Sequence, residues 1–253
     1  MPIGEVWRTL RRRLPASHYV LVVMLFFAGL EATFALQRFV AISLLTLFGL
    51  VTAGVLVLRK EESEDFHFTQ AFLPILAAIG LTAFALFLPA SPLLHLYFLA
   101  ASIIFYFLLQ FAARLAYPTW NWGVSALVLF VDLAAVLGWH FHMAKSLTIT
   151  LALTWLITLL LAWQALRRIA AARSEAFLLA LCISLAVAEI IWVLQFTPFH
   201  FFAQAGIGLT AYYLLLQGLT RSFERRLARQ DMVEYMLIGG AAFIILFLSV
   251  QWI

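Results

Sequence analysis

The chain has 253 residues, of which 65% are hydrophobic and 11% charged, with a formal net charge of +4. Ordinary soluble domains run at about 45–50% apolar and about 25% charged residues, so a water-soluble globule is excluded and lipid is the solvent that fits. Cys182 is the one cysteine, which excludes an internal disulfide and any two-thiol metal or redox site. The cations stand in short clusters between apolar runs, a placement that suits anionic headgroups and argues against nucleic acid as a partner.

In chain order, residues 1–16 come first. Ile3, Val6, Trp7, Leu10 and Leu14 share a helical face, and Arg8, Arg11, Arg12 and Arg13 lie largely off it. This pattern predicts an amphipathic segment on the inner membrane surface. Residues 17–253 then read as a single transmembrane domain. A hydrocarbon core needs about 20 apolar residues in a helix. Nine runs approach that length, at 18–36, 39–58, 68–88, 93–113, 120–139, 146–166, 175–196, 199–219 and 232–252. Charge clusters (Arg59 to Asp65, Arg167 to Arg173, Arg221 to Asp231) and prolines (Pro89, Pro92, Pro118, Pro198) separate many of them, and proline ends helices because it lacks an N–H and clashes with the preceding turn. The first run is longer than a signal-peptide core and lacks a small-residue cleavage site, so it reads as an uncleaved anchor.

The expected fold is an all-α polytopic membrane bundle. With the N-terminus inside, nine spans put 14 of the 16 Lys and Arg residues on the inner side and leave only Arg38 and Lys145 outside. The positive-inside bias therefore predicts an inner N-terminus and an outer C-terminus in a cytoplasmic (plasma) membrane. The segments ending the first, third, fifth and seventh spans (31–37, 81–87, 132–138 and 189–195) are compatible with four tandem helical hairpins plus a C-terminal helix.

Three acids stand inside spans, Glu31, Asp132 and Glu189. An acid at a helix centre costs about 2.5–3.5 kcal/mol on insertion scales, and such residues usually face the protein interior. All three lie roughly 18–21 Å along outward-running helices. Gln37, Gln195, His140 and His200 gather at or above that level, with His95, His142 and Gln204. Trp139, Trp192 and Tyr97 would wall this polar outer half, although interfaces also favour such residues.

The expected function is binding or transport of a small solute, cation or lipid through an outer-half pocket lined by Glu31, Asp132, Glu189, Gln37, Gln195, His140 and His200. A membrane-embedded hydrolase acting on a lipid-derived substrate is the alternative, and a membrane scaffold in which the acids only glue helices is the third. No nucleotide loop, haem pair or His-Glu-x-x-His motif is present in the sequence, so no cofactor is expected. Cys182, in an apolar run, is expected to be a packing residue.

Overall fold

The computed structural model describes residues 15–35, 71–88, 91–113, 118–143, 146–167 and 173–223, together with residues 233, 237, 239–241 and 244. Among these residues the regular structure is helical and contains no strand. Seven helices follow one another: α1 (Pro15–Ala35), α2 (Phe72–Ala85), α3 (Pro92–Ala113), α4 (Pro118–Met143), α5 (Leu147–Leu166), α6 (Arg173–Leu194) and α7 (Phe201–Phe223). Helical positions between 233 and 244 mark part of another.

The expected count of nine spans is not supported by these residues. The run at 39–58 and the amphipathic segment before Pro15 lie outside the described residues. Four apolar stretches are long enough to cross a membrane: Pro92–Leu109, Gly123–His142, Leu147–Leu166 and Ser174–Leu194. The apolar stretches Tyr19–Ala35 and Phe72–Ala85 are shorter. The 14 residues of α2 reach only about 21 Å at 1.5 Å per residue, because the chain turns at 86–88, just before Pro89. Helix α7 has 23 residues, but Gln204, Gln217, Tyr212 and Tyr213 dilute its apolar character.

The chain divides into two compact units, residues 1–118 and 119–253. In the first, α3 packs against both α1 and α2. Phe26 meets Phe105 with ring centroids 4.6 Å apart, and Phe34 meets Phe98 at 5.1 Å. Rising numbers on α1 pair with falling numbers on α3, so these two helices run antiparallel. Phe26, Leu30, Phe98 and Phe105 are fully buried. Between helices in lipid, close packing and interhelical hydrogen bonds supply the association that apolar burial supplies in water.

In the second unit the closest pair is α5 with α6, and α6 also packs on α7. Helix α6 buries Ala176, Ala180, Ile183, Ser184, Val187, Ile191 and Leu194, one stripe at helical spacing. Helix α5 buries Thr150, Thr154 and Thr158, one turn apart. Small residues on such faces let backbones approach closely. A division into tandem hairpins would separate α5 from its principal partner α6, so that expectation is weakened at its third unit, although α2–α3 and α6–α7 do pack as hairpins. Cys182 is exposed rather than packed, because it lies just off the buried stripe of α6.

Most buried hydroxyls are satisfied inside their own helices. Thr33 donates to the Gly29 carbonyl at 2.7 Å, Ser102 to Phe98 at 2.8 Å, Thr158 to Thr154 at 2.7 Å and Thr220 to Leu216 at 2.8 Å. Back-bonding of this kind lets a polar residue sit in an apolar helix without an interhelical partner.

Candidate functional site

The three intramembrane acids have three different surroundings. Glu31 stands in the last turns of α1, beside the first turn of α3. His95 Nδ1 lies 2.9 Å from one Glu31 carboxylate oxygen and 3.0 Å from the other. The imidazole is mostly exposed, at 66%, while the glutamate is 33% exposed. Phe98, buried one turn further along α3, meets the His95 ring edge-on at 6.1 Å. Tyr97 ties the same turn to α2 by donating to the Leu81 carbonyl at 2.7 Å.

Asp132 lies in the middle of α4 and is 2% exposed. Leu129, Leu133, Ala134, Ala135 and Leu137 are buried with it, so the helix is enclosed around most of its circumference here. Asp132 Oδ2 is buried and has no hydrogen-bond partner among the described residues. Helix α7 approaches α4 at Gly208. A Cβ on Gly208 would stand 3.2 Å from Leu133 Cδ1 and 2.9 Å from Ile191 Cδ1. Gly208 thus leaves room for the Leu133 and Ile191 side chains against α7. One turn further on the same face of α7, Tyr212 is buried and its hydroxyl lacks a hydrogen-bond partner.

Glu189 is exposed on α6, between the exposed Leu185 and the exposed pair Trp192 and Val193. It lies roughly opposite the stripe through Val187 and Ile191. Within the second unit, Asp132 and Glu189 therefore do not face one interior. Glu31 belongs to the first unit.

Of the remaining candidates, Gln195 is engaged in the α6–α7 turn. Its amide donates to Gln204 Oε1 at 2.7 Å, and the Gln204 amide donates to the Leu194 carbonyl at 3.2 Å and the Phe199 carbonyl at 3.0 Å. The end of α6 and the start of α7 leave carbonyl and N–H groups without helical partners, and these two glutamines supply some of them. Gln204 is buried, and its part was not visible in the spacing of polar residues alone.

His200 precedes α7 and accepts the Phe202 N–H at Nδ1 over 3.5 Å. Its ring lies 5.8 Å from Phe141 and 4.3 Å from Phe201, and His142 meets Phe201 at 5.6 Å. The last turn of α4 and the first turn of α7 are thus joined by an aromatic cluster. His140 is half-buried in that last turn. Among the described residues no three His, Cys, Asp or Glu side chains are grouped to hold a metal ion. Gln37 lies outside the described residues. Trp139 and Trp192 are exposed.

No family model, curated protein or solved structure matches this chain. Function must therefore be read from the side chains themselves.

Proposed function

We propose that this is a multi-pass membrane protein of the plasma membrane that binds a small cation, or a proton, at Asp132 and passes it through the second unit. The observation that supports the reading is the burial of Asp132 with an unpartnered carboxylate oxygen. An isolated carboxylate in an apolar interior is strongly disfavoured unless its charge is neutralised or paired. A proton or a cation is the ligand that resolves this. Tyr212 supports the reading as a second oxygen. An aromatic side chain leans back towards the N-terminus of its helix, which carries the Tyr212 ring towards the level of Gly208 and Leu133. Gly208, one turn before Tyr212, is where α7 approaches Leu133, the neighbour of Asp132.

Nine spans with an inner N-terminus and an outer C-terminus belong to the same proposal, on the strength of the 14 to 2 cation division. On that topology Asp132 lies in the outer half of the bilayer. Alkaline phosphatase fused after Leu227 or after Ile253 tests the orientation, with activity expected only from the second fusion.

The binding test is thermal unfolding of the purified protein in detergent with sodium, lithium or potassium, and again across pH. A ligand that binds only the folded state raises the melting temperature by mass action. The native protein is expected to respond to one of the cations or to protons, and Asp132→Asn is expected to lose that response while remaining folded. A folded Asp132→Asn variant with the native response would overturn the proposal.

A further inference from the structure

We propose that Glu31 and His95 form a carboxylate–imidazole dyad that acts as a general base at the outer membrane face, hydrolysing the acyl ester of an amphiphile in the headgroup layer. This inference rests on the topology proposed above, uses side chains of the first unit only and does not depend on ion binding at Asp132.

The argument begins with the tautomer. Both Glu31 carboxylate oxygens lie within hydrogen-bond distance of His95 Nδ1, at 2.9 and 3.0 Å. An ionised carboxylate only accepts, so Nδ1 carries the proton and donates it. In the neutral imidazole Nε2 is then left with the lone pair. The ring is held at Nδ1 by Glu31 and along one edge by Phe98. An imidazole oriented by a carboxylate through Nδ1, with Nε2 open, is the arrangement by which hydrolytic enzymes position a histidine base.

The substrate class follows from location. His95 is mostly exposed, and the neighbouring Leu93, Leu96 and Leu99 on α3 are exposed as well. An imidazole on an apolar surface, at the helix end that the cation division places outside, stands at headgroup depth. Water reaches that layer from one side and acyl chains from the other. A fatty ester can lay its chain along Leu96 and Leu99 and present its carbonyl to Nε2.

In the reaction, Nε2 takes a proton from water as the water oxygen bonds to the carbonyl carbon. When the tetrahedral intermediate collapses, the bond between that carbon and the ester oxygen breaks. The electron pair leaves with the alkoxide, and Nε2–H returns the proton to it. The products are the carboxylic acid and the alcohol, and Glu31 remains an ionised acceptor throughout. His95 is the catalytic residue and Glu31 is a positioning residue.

The test is release of para-nitrophenol from para-nitrophenyl octanoate in detergent micelles by the purified full-length protein. His95→Gln is expected to lose 100-fold or more of the rate, since a general base contributes about 10²–10⁴-fold. The exposure of His95 makes this variant tolerable to the fold, which unchanged helical circular dichroism would check. Glu31→Ala removes the acceptor of the Nδ1 proton, so that neither the tautomer nor the ring orientation stays fixed. It is expected to lower kcat by a similar factor with KM little changed, a split that loss of a merely structural contact would not produce. No release above that of buffer, or a His95→Gln variant as fast as the native protein, overturns the proposal. So does a Glu31→Ala variant that is folded and retains the native kcat.

Discussion

Glu31 and Asp132 are the same kind of side chain set into the same kind of helix, and the two units treat them in opposite ways. In the first unit the acid meets a histidine from a helix 64 residues later in the chain, and the pair stays partly exposed. In the second unit the acid is enclosed and its Oδ2 meets no hydrogen-bond donor. The difference teaches that an acid near a helix end can be met by a side chain of the neighbouring helix, whereas one at mid-helix among apolar side chains is not. The hydroxyls of Thr33, Ser102, Thr158 and Thr220 sharpen the contrast, because each finds a carbonyl one turn back.

The comparison can be broken most directly at Asp132. Replacing an unpartnered buried polar group by an apolar one of similar size is often neutral or stabilising. Asp132→Leu is therefore expected to raise stability in detergent, by about 1–3 kcal/mol, while abolishing the cation or proton response. Reversible unfolding by denaturant would measure it, and marked destabilisation would show that the carboxyl is held by partners within the protein. Gln204→Ala is the opposite case, a buried polar group whose partners are present. It removes the bonds to the Gln195 amide and to the Leu194 and Phe199 carbonyls, although Leu194 keeps Thr197 as a donor, and is expected to cost about 0.5–1.5 kcal/mol in the same assay.

The next effect is smaller. A double-mutant cycle with Glu31→Ala and His95→Ala is expected to give a coupling of about 0.2–1 kcal/mol, the range of exposed side-chain pairs. A coupling near zero would remove the pair as a fixed feature and the dyad with it. Smallest of all is Glu189→Gln, expected to change stability by less than about 0.5 kcal/mol, as exposed positions usually do. A larger loss would place Glu189 against a partner and undo its contrast with Asp132.

Much of the helical layout was legible in the sequence because lipid imposes a length: runs of about 20 apolar residues become α3, α4, α5 and α6. Helix α2 was legible in place but not in length, since the turn at 86–88 ends it early. The acids were legible as unusual, yet their environments were not. Val187 and Ile191 share a face at spacing four, and Glu189 between them had to point away. Depth in the membrane groups Glu189 with the other acids, whereas helical angle separates it from them. Gln195 and His95 were legible only as polar groups near helix ends. What they touch depends on Gln204 and Glu31, and pairing across helices follows from packing that a single chain of letters does not display. The triple approach at Gly208 is of the same kind, because a glycine in an apolar run also occurs where nothing crowds it.

The glutamine pair at the α6–α7 turn bears on how the protein reaches its membrane. Helix α6 is apolar enough to enter lipid by itself, whereas α7 is not among the stretches that meet that standard. A free polar backbone at the turn would hold α7 back further, since each unsatisfied group in hydrocarbon costs several kcal/mol. With Gln195 and Gln204 closing the turn from within, the two helices can partition as one object, and the stronger one can draw in the weaker. Biogenesis would then depend on the two amides of this turn. A glycosylation tag placed after α7 would read this in microsomes, with correct insertion behind native α6 and failure when α7 is presented alone; equal insertion in both settings would show that α7 needs no such help.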